Sequence, residues 1–475
     1  MSAVEHSPDS RLPDLGRHTI SRRELIRSLG GGLGTVGLMS ALGSESLAEN
    51  ARPLRLPHFA PRAKRVIHLF MNGGPYQSDL FDPKPALRKY AGQRPRAVQL
   101  RTERETAGLM PSPFEFARHG ENGVEVSELL PNLAARIDDI CVIRSVYSDN
   151  PNHAPALFMI NNGTITPTAP SMGSWLSYGL GTDNENLPSY VVLCPGRPVR
   201  FNVLWSSAFL PGRHQGTYIN HSNLAPKKMI PFLENASLGR SAQRRQIELM
   251  QRLNANHLKT RGPDPLLEAR LKAMETAFRM QSEASEAFDL GLEPERIRDA
   301  YGRGHFANGC LLARRLVERG VRFTQVYYGN SQPWDTHQNH NRNIQKLCAN
   351  IDRPISTLLQ DLKDRGLFDE TLVIWGGEFG RTPTTDLSQG GDGRDHNHYG
   401  FTMWMAGGGT RGGIAHGDTD EFGFRAVRDK VHVHDIHATI LHLLGIDHER
   451  FTYRHAGRDF RLTDVSGNVI RELLA

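Results

Sequence analysis

Cysteine is scarce: the 475 residues hold only Cys141, Cys194, Cys310 and Cys348, widely scattered and never in a CxxC spacing. That excludes a zinc knuckle or a dithiol redox motif, and no disulfide pairing follows from the spacing. No run of about eighteen uninterrupted apolar residues occurs in the body of the chain, so no membrane span is expected after processing. A dense Lys/Arg tract with interleaved aromatics is also missing. The net charge of +6 is modest; it gives no ground for nucleic-acid binding and fits an anionic substrate no better than it fits nothing in particular. The glycine-rich run Gly407 to Gly413 lacks a GK[ST] ending and is not a phosphate loop. A hydrophobic content of 38% with a mean hydropathy of -0.46 describes a soluble chain, long enough for one large α/β domain with insertions.

The N-terminus is distinctive. Thr-Ile-Ser-Arg-Arg-Glu-Leu-Ile-Arg at 19–27 precedes a small, apolar, glycine-rich segment at 28–43 without an acidic residue, and Ser46-Leu47-Ala48 has a small-x-small form. The order of basic region, apolar region and cleavage site is that of a twin-arginine export signal over residues 1–48. The mature chain is therefore expected in the periplasm or outside the cell. Residues 49–64 read as a linker, and 65–475 as the functional domain.

Three polar motifs carry the chemistry: WDTHQNH at 334–340, GGEFGRTP at 376–383 and GRDHNHYG at 393–400. Asp335, His337, His340, Glu378, Asp395, His396 and His398 supply the oxygen and imidazole donors that zinc, manganese or similar divalent ions accept. All are expected in loops. The second motif follows Thr371-Leu-Val-Ile-Trp375, a β-branched apolar run suited to a buried parallel strand, and functional groups collect past the carboxyl ends of such strands.

Other elements follow the same logic. Arg65 to Met71 reads as the first strand, ending in Asn72-Gly73-Gly74-Pro75, with Asp79 a further donor and Asp82, before Pro83, a turn or cap residue. A helix is expected over 126–137, strands over 140–146 and 188–193, and a helix after Ser148-Asp-Asn-Pro-Asn-His-Ala-Pro155 that places His153 near its N-terminus. Charged helical stretches at 243–259 and 264–289 belong to a helical insertion spanning about 226–303. Helices at 304–320 and 341–365 alternate with strands at 321–328, 371–375 and 401–406. That alternation implies a mostly parallel sheet covered on both faces.

The segments MNGGPYQSDLFDPKP, WDTHQNHN, TLVIWGGEFGRTP, GRDHNHYGFTMWMAGGG and VHDIHATILHLLG, in this order, resemble the family labelled domain of unknown function 1501, from about Lys64 to the end. That family is related to the alkaline phosphatase and sulfatase superfamily. The resemblance implies a three-layer α/β/α sandwich and one or two divalent ions, whether zinc, manganese, calcium or magnesium, above the sheet. Carried over residue by residue, Glu378 takes the place of a metal-binding Asp, while Phe379 stands where a His ligand is implied. Asp335 with His337 or His340 resembles a second metal position, and His396 or His398 the later His ligand. Asn72 replaces the Asp delivered by the first strand, with Asp79 as a substitute donor. Ten residues before Gly163, where the superfamily has a Ser, Thr or Cys nucleophile, this chain has His153. Imidazole serves as general acid or base, or as nucleophile. Arg381 is a candidate to hold the anion bidentately, or else a salt-bridge residue. The implied activity is metal-dependent hydrolysis of a phosphate, sulfate or related anionic ester, small or glycan-borne. The alternative is a non-catalytic envelope protein, binding or scaffolding, on the same fold.

Overall fold

The computed structural model describes residues 57–230, 237–262, 264–388 and 390–475. The expected export signal and the first half of the linker, residues 49–56, lie outside the described residues.

Nine strands form the central sheet: β1 (Arg65–Phe70), β2 (Ile140–Tyr147), β3 (Tyr190–Leu193), β4 (Thr217–Ile219), β5 (Phe323–Tyr327), β6 (Thr371–Gly376), β7 (Phe401–Ala406), β8 (Ile414–His416) and β9 (Val431–His432). Their order is β8-β2-β7-β6-β1-β5-β3-β4, with β9 also on β2. Only β7 runs against its neighbours; every other pairing is parallel. The side-chain alternation of a strand then builds two cores. Ile67 and Leu69 of β1 face one layer with Val373 and Trp375 of β6. Val66 and Phe70 face the other with Leu372 and Ile374.

Helices cover both faces, so the architecture is the three-layer α/β/α sandwich. On the first face lie α5 (His305–Glu318) and α6 (His340–Asp364). On the second lie α1 (His153–Asn162), α2 (Met172–Leu180) and α7 (Val433–Leu443). Two long charged helices, α3 (Arg240–Arg261) and α4 (Pro265–Phe288), pack on one another. No described helix is long and apolar enough to cross a membrane.

Two expectations need correction. The 126–137 segment is not one helix: Val124–Ser127 pairs with Phe116–His119 as a hairpin, and only Pro131–Ala134 is α-helical. The period-two alternation of Val124 and Val126 won over the longer apolar spacing, and Pro131 starts a new element. The donors of the second and third motifs are also not all in loops: Glu378 and His398 are, but Asp395 and His396 lie in a strand. Gly380–Asp386 and Gly393–Asn397 pair antiparallel, with Thr106–Leu109 as the third strand of a small sheet.

Candidate functional site

Because β1, β2, β5 and β6 run parallel, their carboxyl ends deliver Gly73, His153, Asp335 and Glu378 to one edge of the sheet. The turn after β1 is glycine for a steric reason. Gly73 has φ +117°, and a Cβ there would meet the backbone nitrogen of Asp335 at 2.4 Å. Its N–H donates to both carboxylate oxygens of Glu378, at 3.0 and 3.1 Å. Glu378 is fully buried and its Oε1 lies 2.8 Å from His153 Nδ1. The Glu378 carboxylate thereby fixes the proton on Nδ1 and turns Nε2 of His153 toward Asp335 Oδ2, 3.3 Å away. Asn152 caps α1 by accepting from the Ala154 N–H, which sets His153 at the first position of the helix. Burial opposes a charge on His153, but the carboxylates of Asp335 and Glu378 beside it outweigh burial and raise its pKa.

Beside this dyad three electron-rich atoms converge. His337 Nε2 lies 2.9 Å from Asp335 Oδ1, His396 Nε2 lies 3.2 Å from the same oxygen, and the two nitrogens are 3.1 Å apart. The opposite ring nitrogens are committed: His337 Nδ1 to Asp386 at 2.6 Å, and His396 Nδ1 to Glu103 at 2.7 Å and the Pro151 carbonyl at 2.8 Å. With Nδ1 protonated and donating to these acceptors, both Nε2 atoms present lone pairs to one another and to a carboxylate oxygen. A carboxylate behind each imidazole is the arrangement that orients metal-bound histidines. Burial works against charge on Asp335, yet Arg381 and the three imidazoles hold its carboxyl far below the usual carboxylate range. The hydrogen bond from His396 is foremost in lowering Glu103. Burial opposes charge on Asp386, but Ser388 and His337 bring its pKa down as well.

The donor set fits a divalent cation. His153, Asp335 and His396 can converge on one ion, as can His337, Asp395 and His396. Two buried atoms in these groups, His153 Nε2 and Asp395 Oδ1, make no hydrogen bond among the described residues. Five carboxylates gather here: Glu103, Asp335, Glu378, Asp386 and Asp395. The guanidinium groups beside them are Arg381, 2.6 Å from Asp335 Oδ1, and Arg104, 4.0 Å from Asp386. An excess of buried negative charge costs several kcal/mol per uncompensated ion, which one or two divalent cations would offset.

Other candidates lie elsewhere. His340 is turned away by Asn339, at φ +50°, and enters α6 fully buried. Its Nε2 is 2.8 Å from Asp79 Oδ2 and its Nδ1 is 2.6 Å from the Thr336 hydroxyl. Burial keeps His340 neutral, and although burial also opposes charge on Asp79, His340 and Arg394 keep that carboxylate ionised. The Asp79–His340–Thr336 chain thus pins the loop between Asp335 and His337. Asn72 bridges strand ends, donating to the carbonyls of Gly329 and Ser331. His398 lies tilted against the Tyr399 ring, outside both donor groups, and burial lowers its pKa to about 4. Arg381 is fully buried and spends its donors on the carbonyls of Gly73, Gly74 and Arg394 and on Asp335, so it braces the site from within. Phe379 lies against the rings of His396 and His153, at 4.7 and 4.8 Å between centroids. Glu103, Asp386 and Thr336 escaped the sequence reading. Asp386 stands eight residues beyond Glu378, a nearby donor that spacing alone leaves unremarkable; Glu103 has no sequence signal.

A mixed α/β sandwich with acidic and imidazole donors at the carboxyl edge of its sheet defines the class. The chain belongs to the family described as a protein of unknown function, DUF1501, whose model matches residues 63–474. No curated protein matches it. Among solved structures it is similar to the lipoteichoic acid synthase LtaP from Listeria monocytogenes, at 11% identity over 86% of this chain and 77% of that one, with a TM-score of 0.36. It is also similar to the PsFucS1 sulfatase from Pseudoalteromonas sp., at 14% identity, 82% and 69% coverage and a TM-score of 0.34. A third is the alkaline phosphatase from the Antarctic bacterium TAB5, at 11% identity, 81% and 98% coverage and a TM-score of 0.33.

Proposed function

We propose that the protein is an exported, metal-dependent hydrolase of a phosphate, sulfate or related anionic ester that works without a hydroxyl or thiol nucleophile. One observation carries the reading: the lone pairs of His337 Nε2 and His396 Nε2 meet Asp335 Oδ1 within 3.2 Å, each imidazole backed by a carboxylate. His337, His396, Asp335 and Asp395 would hold the cation, with His153 at its margin. Such an ion, when bound, polarises the ester oxygen and makes a water nucleophilic near neutral pH.

The rest of the work falls to the chain. Glu378 orients His153 through Nδ1, so Nε2 is the nitrogen that would take a proton from the attacking water or give one to the leaving-group oxygen. Gly73 keeps Glu378 in place with its backbone N–H. Phe379 walls the two imidazoles from water on one side. Export by the twin-arginine route suits a protein that takes up its metal while folding in the cytoplasm. The family's link to the alkaline phosphatase and sulfatase superfamily, suggested by the motifs, agrees with an anionic ester as substrate. The non-catalytic reading draws support from Phe379 in the place of a ligand and from Arg381 already at Asp335. A screen of aryl phosphate and aryl sulfate esters with the metal-loaded protein separates the two. Turnover that is lost in His153→Ala and Glu378→Ala supports the hydrolase; no turnover of any ester, with divalent metal bound, supports the binding protein.

A further inference from the structure

The cluster at the sheet edge is acidic, yet the chain beside it is not. Between Glu185 and Glu234 there is no Asp or Glu at all, while Arg197, Arg200 and Arg213 lie within that stretch. The acids just before it are engaged elsewhere, Asp183 with Arg322 and Glu185 with Arg279. Arg197, Arg200 and Arg213 are exposed, and among the described residues no carboxylate lies within ion-pair distance of any of them.

This segment is built into the rim of the site. It leaves the carboxyl end of β3 and crosses to the loop that leads into Asp335: the Arg197 N–H donates to Asn330 Oδ1 at 2.9 Å, and the Ser331 N–H donates to the Arg197 carbonyl at 3.2 Å. Its turn Phe201–Trp205 packs against α1, the helix that begins with His153. Arg200, Phe201 and Ser331 all take positive φ, at +65°, +35° and +57°. Non-glycine residues hold such backbone only where the surroundings impose it, and such positions concentrate at functional sites. The Arg197 guanidinium stands 5.0 Å over the Phe201 ring, which orders the side chain and leaves its edge donors for an anion.

We propose that Arg197 and Arg200 form a cationic subsite for a second anionic group of the substrate, so that the preferred substrate is an oligomer charged on more than one unit. The proposal rests on the hydrolytic reading of the His153 and Asp335 site. Asn330 to Asp335 is five residues, at most about 18 Å of chain. That bound keeps Arg197 within reach of a neighbouring charged unit of an oligomer whose scissile ester sits at His153 and Asp335.

The test is binding, which needs no turnover: calorimetric titration of the whole metal-loaded protein with a heparin-derived sulfated hexasaccharide, a polyphosphate of similar charge, and an uncharged cellohexaose. The proposal expects both polyanions to bind, cellohexaose not to, and Arg197→Glu/Arg200→Glu to weaken polyanion binding at least about tenfold, with Arg197→Lys/Arg200→Lys intermediate. An unchanged melting temperature shows that the variants fold. A preference for one polyanion identifies the ester as sulfate or phosphate within the same proposal. Equal binding by wild type and the double glutamate variant overturns it, as does wild-type binding of cellohexaose as tight as of the sulfated hexasaccharide. Because binding is read alone, its failure leaves the hydrolytic reading standing, and a failure of ester turnover leaves this result standing.

Discussion

At the residue scale, the site works by assigning each nitrogen and oxygen one partner. His337 and His396 differ from His340 in only one respect that matters: their Nε2 atoms face an acceptor with no proton to spare, whereas both ring nitrogens of His340 are satisfied by Asp79 and Thr336. Spacing cannot make that distinction, because His337 and His340 sit three residues apart in the same motif and the turn at Asn339 decides which one points inward. Asp386→Asn keeps the shape but weakens the acceptor behind His337. It is expected to lower divalent-metal affinity about 10- to 100-fold, measured by competition with a chromogenic chelator. Glu378→Gln removes the charge that orients His153. Turnover of the best aryl ester should fall about 10²- to 10⁴-fold while bound metal per chain, measured by elemental analysis, stays at the wild-type value.

At the scale of elements, four parallel strands place the donors and two glycine-dependent contacts lock them. Gly73→Ala would force a side chain into positive φ and against the Trp334 and Asp335 backbone. The cost expected is at least about 2 kcal/mol, read by urea denaturation, together with loss of metal. Gly393 is constrained by close approach alone, since a Cβ there would run into the His337 carbonyl. Much of this was legible in the sequence. The β-branched runs at 65–70 and 371–376, each followed by a glycine turn, showed the strands and the edge where Glu378 emerges. Asp335, His337 and His396 were read as donors from residue type alone. The small antiparallel sheet was hidden because Pro383 and a register break between Arg381 and Thr385 interrupt its alternation. Glu103 was invisible because it reaches His396 across 293 residues, and nothing local marks a side chain whose partner comes from so far away.

For the whole molecule, the balance of buried imidazoles sets the response to pH. Burial lowers His68, His214 and His437 to about 3 and His221 to about 4, each from an ordinary value of 6.5. Below pH 6.5 the unfolded chain takes up protons at these positions while the folded chain does not, so their contribution lowers stability as pH falls, down to about pH 3 to 4. The melting temperature is expected to drop steadily from pH 6.5 toward pH 4 in chelator-treated protein. Replacing His68 by Asn, which cannot be protonated, should flatten that slope relative to wild type. If the proposed subsite holds, exposed Arg197 and Arg200 beside an acidic donor cluster would give the molecule a charge gradient directed at its own site. The most direct test of the whole account is the divalent-metal content of the purified, folded protein, determined by elemental analysis before and after EDTA and in His337→Ala/His396→Ala. The account predicts one or two ions per chain, a lower melting temperature after EDTA that returns on adding metal, and a double variant that folds without the ion. Protein that carries no divalent ion after incubation with zinc, manganese, magnesium and calcium in turn, and melts at the same temperature with or without EDTA, would contradict it.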